Sequence, residues 1–262
     1  MKNIERYSDE ELMTRLWDVE EIKKLVYKRG YYVANEWRAR ELDELWVRDP
    51  ETQKTASLGK NIGWYVGMDA IRGYYVEKHL ADRRAQLAAI SQANPAIENT
   101  EKNLHIGCVN HHPATTGLVE IAGDGKTAKA LFYSNGQETE ANADGTATAM
   151  WVPQKQAYDF VKEDGQWRIW HLAMAVDSSL EAGEKFEDVN PIADYDHDPI
   201  MQEFGEPTIR QLTHDATFNW WDDYPPRPMP YETWSDDISY GPEGWKPPEF
   251  FQWKAGEGGF AK

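Results

Sequence analysis

The feature that most constrains this chain is a change of period partway along it. Up to Asn94-Pro95 apolar residues recur at helical spacing. Beyond that point they follow an extended pattern through four segments: His105 to Ile121, Lys126 to Ser134, Thr146 to Val161 and Gln166 to Ala175. The connectors AGDGKT, NGQETEANADG and KEDGQ each hold Gly with Asp or Asn, residues that tolerate the positive φ of tight hairpin turns. Four hairpin-linked strands form an antiparallel meander, and the helices that come first cover one of its faces. The expectation is an α+β domain whose curved sheet leaves a cavity beneath the helices.

The helical half divides at its capping signals. Asp18 precedes Glu21 by three residues, and Ile22, Leu25, Val26, Val33 and Trp37 follow, which predicts a long first helix. Ser8 and Glu11 repeat the pattern and predict a short helix before it, across Glu10 to Trp17. Arg40 to Val47 reads as a further short helix closed at Asp49-Pro50. A short aromatic strand with Trp64 and Tyr65 ends at Gly67, after which Asp69 is placed to cap a helix running toward Ile90.

Composition then removes whole classes of function. A formal charge of −17 opposes binding to nucleic acid or to anionic membranes, which needs clustered Lys and Arg. No stretch approaches the about 18 consecutive apolar residues of a membrane span. The charged opening, MKNIERYSDEELMTRLWDVEE, lacks the features of a secretory signal, and a cytoplasmic location is expected. Cys108, the single cysteine, has no internal partner and reads as a packing residue. From Asp177 to Glu206 ten carboxylates stand against one lysine, the pattern of a solvated acidic connector. The last 73 residues hold ten of the fourteen prolines and five of the twelve tryptophans. So many aromatics argue against disorder and for an ordered wrap on the same subunit or a neighbour. The division is therefore a domain over 1–178 and an extension over 179–262.

Within the domain, CVNHHPATTGLVEIAGDGKTAKALFYS resembles the central hairpin of SnoaL-like, nuclear-transport-factor-2-like proteins. The matching residues are His111, His112, Asp124, Ala128 and Ala130. VGMDAIRGYY resembles the family's Gly-x-x-x-Ile helix start. DFVKEDGQWRIWHL resembles its final hairpin, with Gly165, Trp167 and Ile169. The resemblance spans residues 15 to 178 and implies a cone: a strongly bent sheet with the first helix across its mouth. The group includes scytalone dehydratase, polyketide cyclases, steroid isomerases, a diarylpropane lyase and noncatalytic transport adaptors, so the fold does not choose an activity.

The resemblance places His111 where dehydratases of this fold point an imidazole into the cone, an acid or base at ordinary pH. Scytalone dehydratase carries a Tyr-Asp pair at the end of the first helix. This chain has Trp37-Arg38, so that scheme does not transfer intact, and Arg38 reads as a holder of an anion or enolate oxygen. Tyr27 and Tyr31, one turn apart, with Asn35 beyond them, form a stripe that could line the pocket, with Tyr31 beside the oxyanion. Trp64 or Tyr65, His112, and one of Trp170 and His171 complete the candidate substrate contacts.

The expected function is a cofactor-independent lyase of the dehydratase kind. Its substrate would be a hydrophobic, hydroxylated aromatic or polycyclic molecule, a lignin-derived dimer in its most specific form, with the tail closing over the cone. One rival is a noncatalytic binding or assembly module whose cone is filled by Trp64 and Trp151. Another is a ketosteroid-type isomerase with Asp69 pointing inward as base. No metal is expected, because His-Glu-x-x-His and paired-Cys spacings are missing, and no nucleotide or flavin loop appears. Burial of an open sheet face predicts a homodimer or homotrimer.

Overall fold

The computed structural model describes residues 7–60, 62–177, 180–181, 203, 206–210 and 225–244. The chain opens with α1, Asp9–Ala34, capped by Ser8 and Glu11 in a reciprocal capping box. The two helices expected here are one, because Asp18 does not cap. It is buried instead, accepting from Lys162 Nζ at 2.6 Å and Trp167 Nε1 at 2.9 Å. The helix stops with Glu36 in the left-handed region at φ 57°, while the Trp37 amide reaches back to the Tyr32 carbonyl.

Next come α2 (Arg38–Leu45) and α3 (Pro50–Thr55), the latter capped by Asp49, and the short strands β1 (Ser57–Lys60) and β2 (Gly63–Val66). A nearly continuous helical stretch follows: α4 (Met68–Arg72), a π-helical turn (Gly73–Lys78) and α5 (His79–Ala93). Its N-cap is Gly67 at φ 86°, and Asp69 lies exposed within the first turn.

The strands that follow are β3 (Val109–His111), β4 (Ala114–Ile121), β5 (Thr127–Ala141), β6 (Ala147–Glu163) and β7 (Gln166–Val176). Pro113, which cannot donate to a ladder, separates β3 from β4, and both lie along the same edge of β5. Two short strands, β8 (Leu180–Glu181) and β9 (Ile209–Arg210), pair with β6 and β2. The sheet order is β3-β5-β6-β7-β1-β2-β9, with β1 parallel to β7 and the meander antiparallel. Register breaks at Thr115/Leu118 and Asp159/Phe160 mark bulges, which bend strands. The sheet is curved and open, and the fold is the cone-shaped α+β architecture.

The two faces of the sheet are closed differently. On the inner face Phe132, Tyr158, Phe160, Ile169 and Leu172 pack against Ile22 and Val26 of α1 and Trp46 beyond α2. The outer face carries a smaller cluster of Trp64, Leu131, Ala157, Ala173 and Ala175, closed by Tyr240. Here the described part of the C-terminal segment packs on its own sheet and not over the mouth of the cone. The Tyr240 amide donates to buried Asp159 at 2.6 Å, Lys129 pairs with the same carboxylate at 2.6 Å, and Trp234 packs on Trp170 and His171. The acidic connector lies almost wholly outside the described residues. Among the described residues no helix is long and apolar enough to cross a membrane.

Candidate active site

The residues α1 turns to the sheet are Ile22, Val26, Arg29 and Val33, spaced four, three and four apart, so an arginine sits inside an apolar stripe. A buried guanidinium is costly unless paired and hydrogen-bonded. Arg29 Nε meets Glu41 Oε1 at 3.0 Å, and fully buried Glu41 also accepts from Tyr75 Oη at 2.7 Å and Trp46 Nε1 at 3.3 Å. Tyr158 Oη donates to Gln156 at 2.6 Å beside it. Burial, with Glu41 alongside, raises the Tyr75 phenol above its ordinary pKa. This network closes the floor of a cavity of about 500 Å³.

On one wall His112, 8% exposed, is held at both ring nitrogens. Nε2 lies 2.7 Å from Glu138 Oε1, and Nδ1 lies 2.8 Å from Gln154 Nε2. Burial opposes ionisation of Glu138, but the hydrogen bond from His112, with the charges of Lys60 and Arg38, outweighs it and holds the carboxyl below its usual value. An ionised carboxylate only accepts. Nε2 therefore carries the proton, and the Nδ1 lone pair takes the amide of Gln154. The ring lies so close over β5 that a Cβ on Gly136 would come within 2.4 Å of His112 Cε1 and of the Val152 carbonyl. Glycine at 136 is thus a condition for the imidazole's position.

The other walls carry matched charges. Arg38 Nε meets Glu36 at 3.0 Å, Lys78 meets Asp82 at 2.7 Å and Arg83 meets Glu140 at 3.0 Å. Lys60 is pushed down to about 8 by burial, with Glu138 opposing the shift and Arg38 and Arg29 adding to it. Five lining side chains, Val33, Tyr75, Val152, Met174 and Val176, are apolar or aromatic, and the others bear charge or hydrogen-bonding groups. Beside the cavity Glu36, His79 and His105 converge, with one ligand atom from each within 4.8 Å of the others.

The sequence candidates separate sharply. Arg38 and His112 line the cavity. His111 does not: it is exposed, and its pairing opposite Gln137, itself opposite exposed Trp151, puts it on the outer face. The alternation of β3, carried one residue past its end at His111 to the break before Pro113, sends His112 inward, one residue from the expectation. Tyr31 is 71% exposed and Tyr27 47%, because the inward stripe runs through Arg29 and Val33. Asn35 is exposed and caps α1. Trp64 is buried on the outer face, and Tyr65 is buried in the inner core stacked on Tyr74. His171 is also on the outer side, bound to Ser57 Oγ at 2.8 Å and pushed down to about 3 by burial and then by Lys129. Asp69 faces a separate depression with Asp43 and Arg72. The cone is plugged neither by Trp64 nor by Trp151.

Residues the sequence reading passed over do the lining: Arg29, Lys60, Tyr75, His79, Glu138 and Gln154. Two signals could have found some of them. Arg29 interrupts the apolar stripe at its own spacing, and Gln137-Glu138-Thr139-Glu140 continues the alternation of β5 through what read as a connector.

A cone-shaped α+β domain with an open cavity lined by ionisable groups is the class that fold and site define. The SnoaL-like domain model matches residues 14–173, more than half of the chain, and the chain belongs to that family. No curated protein matches it. Among solved structures it is similar to a hexachlorocyclohexane dehydrochlorinase, LinA type 2, at 14% identity over 66% of this chain and 94% of that one, TM-score 0.43. It is also similar to a putative scytalone dehydratase from Novosphingobium aromaticivorans, at 11% over 70% and 97%, TM-score 0.45. A third is a protein of unknown function from Mycobacterium tuberculosis, at 16% over 73% and 86%, TM-score 0.43. Those activities belong to those proteins.

Proposed function

We propose that this protein is a cofactor-independent lyase in which His112, backed by Glu138, moves the proton. The observation that carries this reading is a buried imidazole on the cavity wall with a carboxylate at one nitrogen and the Gln154 amide at the other. Nδ1 takes a proton from the substrate once the substrate displaces the Gln154 amide, and Glu138 stabilises the imidazolium that results. Arg38 and Lys60, both on the lining, are the cations we assign to a developing oxyanion. Proton transfer by a positioned side chain contributes about 10²- to 10⁴-fold, enough for an elimination whose charge delocalises into an aromatic ring.

The lining narrows the substrate. A molecule that suits it lays an apolar or aromatic ring against Val152, Met174 and Val176 and turns oxygen groups toward the charged walls. A hydroxylated aromatic compound meets both demands, and a lignin-derived dimer is one version of it. An uncharged polycycle without such groups would leave buried ionic groups desolvated. Asp69, exposed in another depression, does not serve the steroid-isomerase reading. We place the protein in the cytoplasm as a homodimer or homotrimer.

Soaking crystals with phenolic and steroidal compounds, then assaying variants on whichever binds, tests the proposal. His112→Ala is expected to lose about 10²- to 10⁴-fold in turnover and His111→Ala to lose almost nothing. Wild-type turnover in His112→Ala would refute the proton-transfer role.

A further inference from the structure

We propose that Glu36, His79 and His105 form a binding site for a divalent first-row transition ion of the zinc class, reached from the cavity through His79. The three residues lie 43 and 26 positions apart, a spacing no metal motif describes, yet their ligand atoms gather within 4.8 Å. Two imidazoles and a carboxylate are the donor set such ions take, leaving outer positions for water. His79 Nε2 already lies 2.7 Å from Glu36 Oε2. His105 Nδ1 is buried without a hydrogen-bond partner among the described residues. Donor atoms on one ion sit roughly 3 Å apart, so closing the set requires a side-chain shift of about 1–2 Å for its widest pair.

The backbone supports the same site. Glu36 occupies the left-handed position that ends α1, where glycine is the easy residue. From there its carboxylate reaches to 2.7 Å from His79 Nε2. Opposing the ion is Arg38, whose Nε holds the same Glu36 oxygen at 3.0 Å. Removing that guanidinium frees the carboxylate. The site does not depend on the role given to His112.

Titration calorimetry of the full chain with Zn²⁺, paired with the visible spectrum of added Co²⁺ and with Mg²⁺ as contrast, is the test. We expect one saturable equivalent of Zn²⁺ or Co²⁺ and none of Mg²⁺. Affinity falls at least about ten-fold in His79→Ala and in His105→Ala, stays unchanged in His111→Ala, and rises in Arg38→Met. The rise cannot come from a variant that merely unfolds. An absence of saturable binding, undiminished affinity in both histidine variants, or weaker binding in Arg38→Met overturns the proposal.

Discussion

Two halves of the same pair of strands, β5 and β6, face α1 and behave in opposite ways. In one half the inward residues are Ala130, Phe132, Tyr158 and Phe160, and they form a solid core. In the other the alternation continues unbroken but the inward residues, Val152 apart, become Gly136, Glu138, Glu140 and Gln154, and the space between sheet and helix stays open. Backbone pairing is continuous from Thr127↔Val161 to Ala141↔Ala147, so the difference lies in side chains alone. The lesson is that a pocket in this fold is made by continuing a strand while withdrawing its apolar residues. What replaces them must be paired, and here it is.

Breaking each half should have a distinct signature. In the closed half Phe160→Ala removes a fully buried ring and should cost about 3–5 kcal/mol in chemical denaturation. At the floor between the halves, Glu41→Ala should cost about 3–5 kcal/mol as well, because it strands the Arg29 guanidinium. In the open half Gly136→Ala should cost about 1–3 kcal/mol by overpacking and should also displace the imidazole, so that the variant behaves like His112→Ala in any assay. If Gly136→Ala lowers stability while leaving the His112 site intact, the close approach is not what positions the ring.

The outer face sharpens the comparison from the other side. His171 is neutral in the fold, with a pKa of about 3 against an ordinary value near 6.5. Between those values the unfolded chain binds a proton that the folded chain refuses, so stability falls as pH falls through that window. From pH 7 to pH 5 the loss attributable to this residue is about 2 kcal/mol, and His171→Phe should flatten that slope.

The architecture was legible because its signals are local: the Gly-Asp and Gly-Asn turns, the change of period, the capping box at Ser8. The site was legible only in part. Arg38 and His112 reach the cavity, whereas His111, Tyr27, Tyr31 and Asn35 point elsewhere. A single residue of phase decides which of two adjacent histidines faces inward, and Pro113 and the pairing of β3 with β5 set that phase. The stretch from Asn135 to Ala141 read as a connector for the reason that lets it line the cavity: its inward side chains are polar. Asp18 looked like a cap because capping and buried pairing use the same side chain. The convergence of Glu36, His79 and His105 depends on three separate elements, which no local pattern records.

The central claim is that the inward histidine is 112 and that it meets whatever enters the cone. Nitrogen-15 NMR of the imidazoles during titration with a bound phenolic ligand reads this directly. The account predicts that the His112 ring signals shift as its contact with Gln154 is replaced, while those of His111 keep the behaviour of a solvent-exposed side chain. A ligand that shifts His111 and leaves His112 unchanged would contradict it.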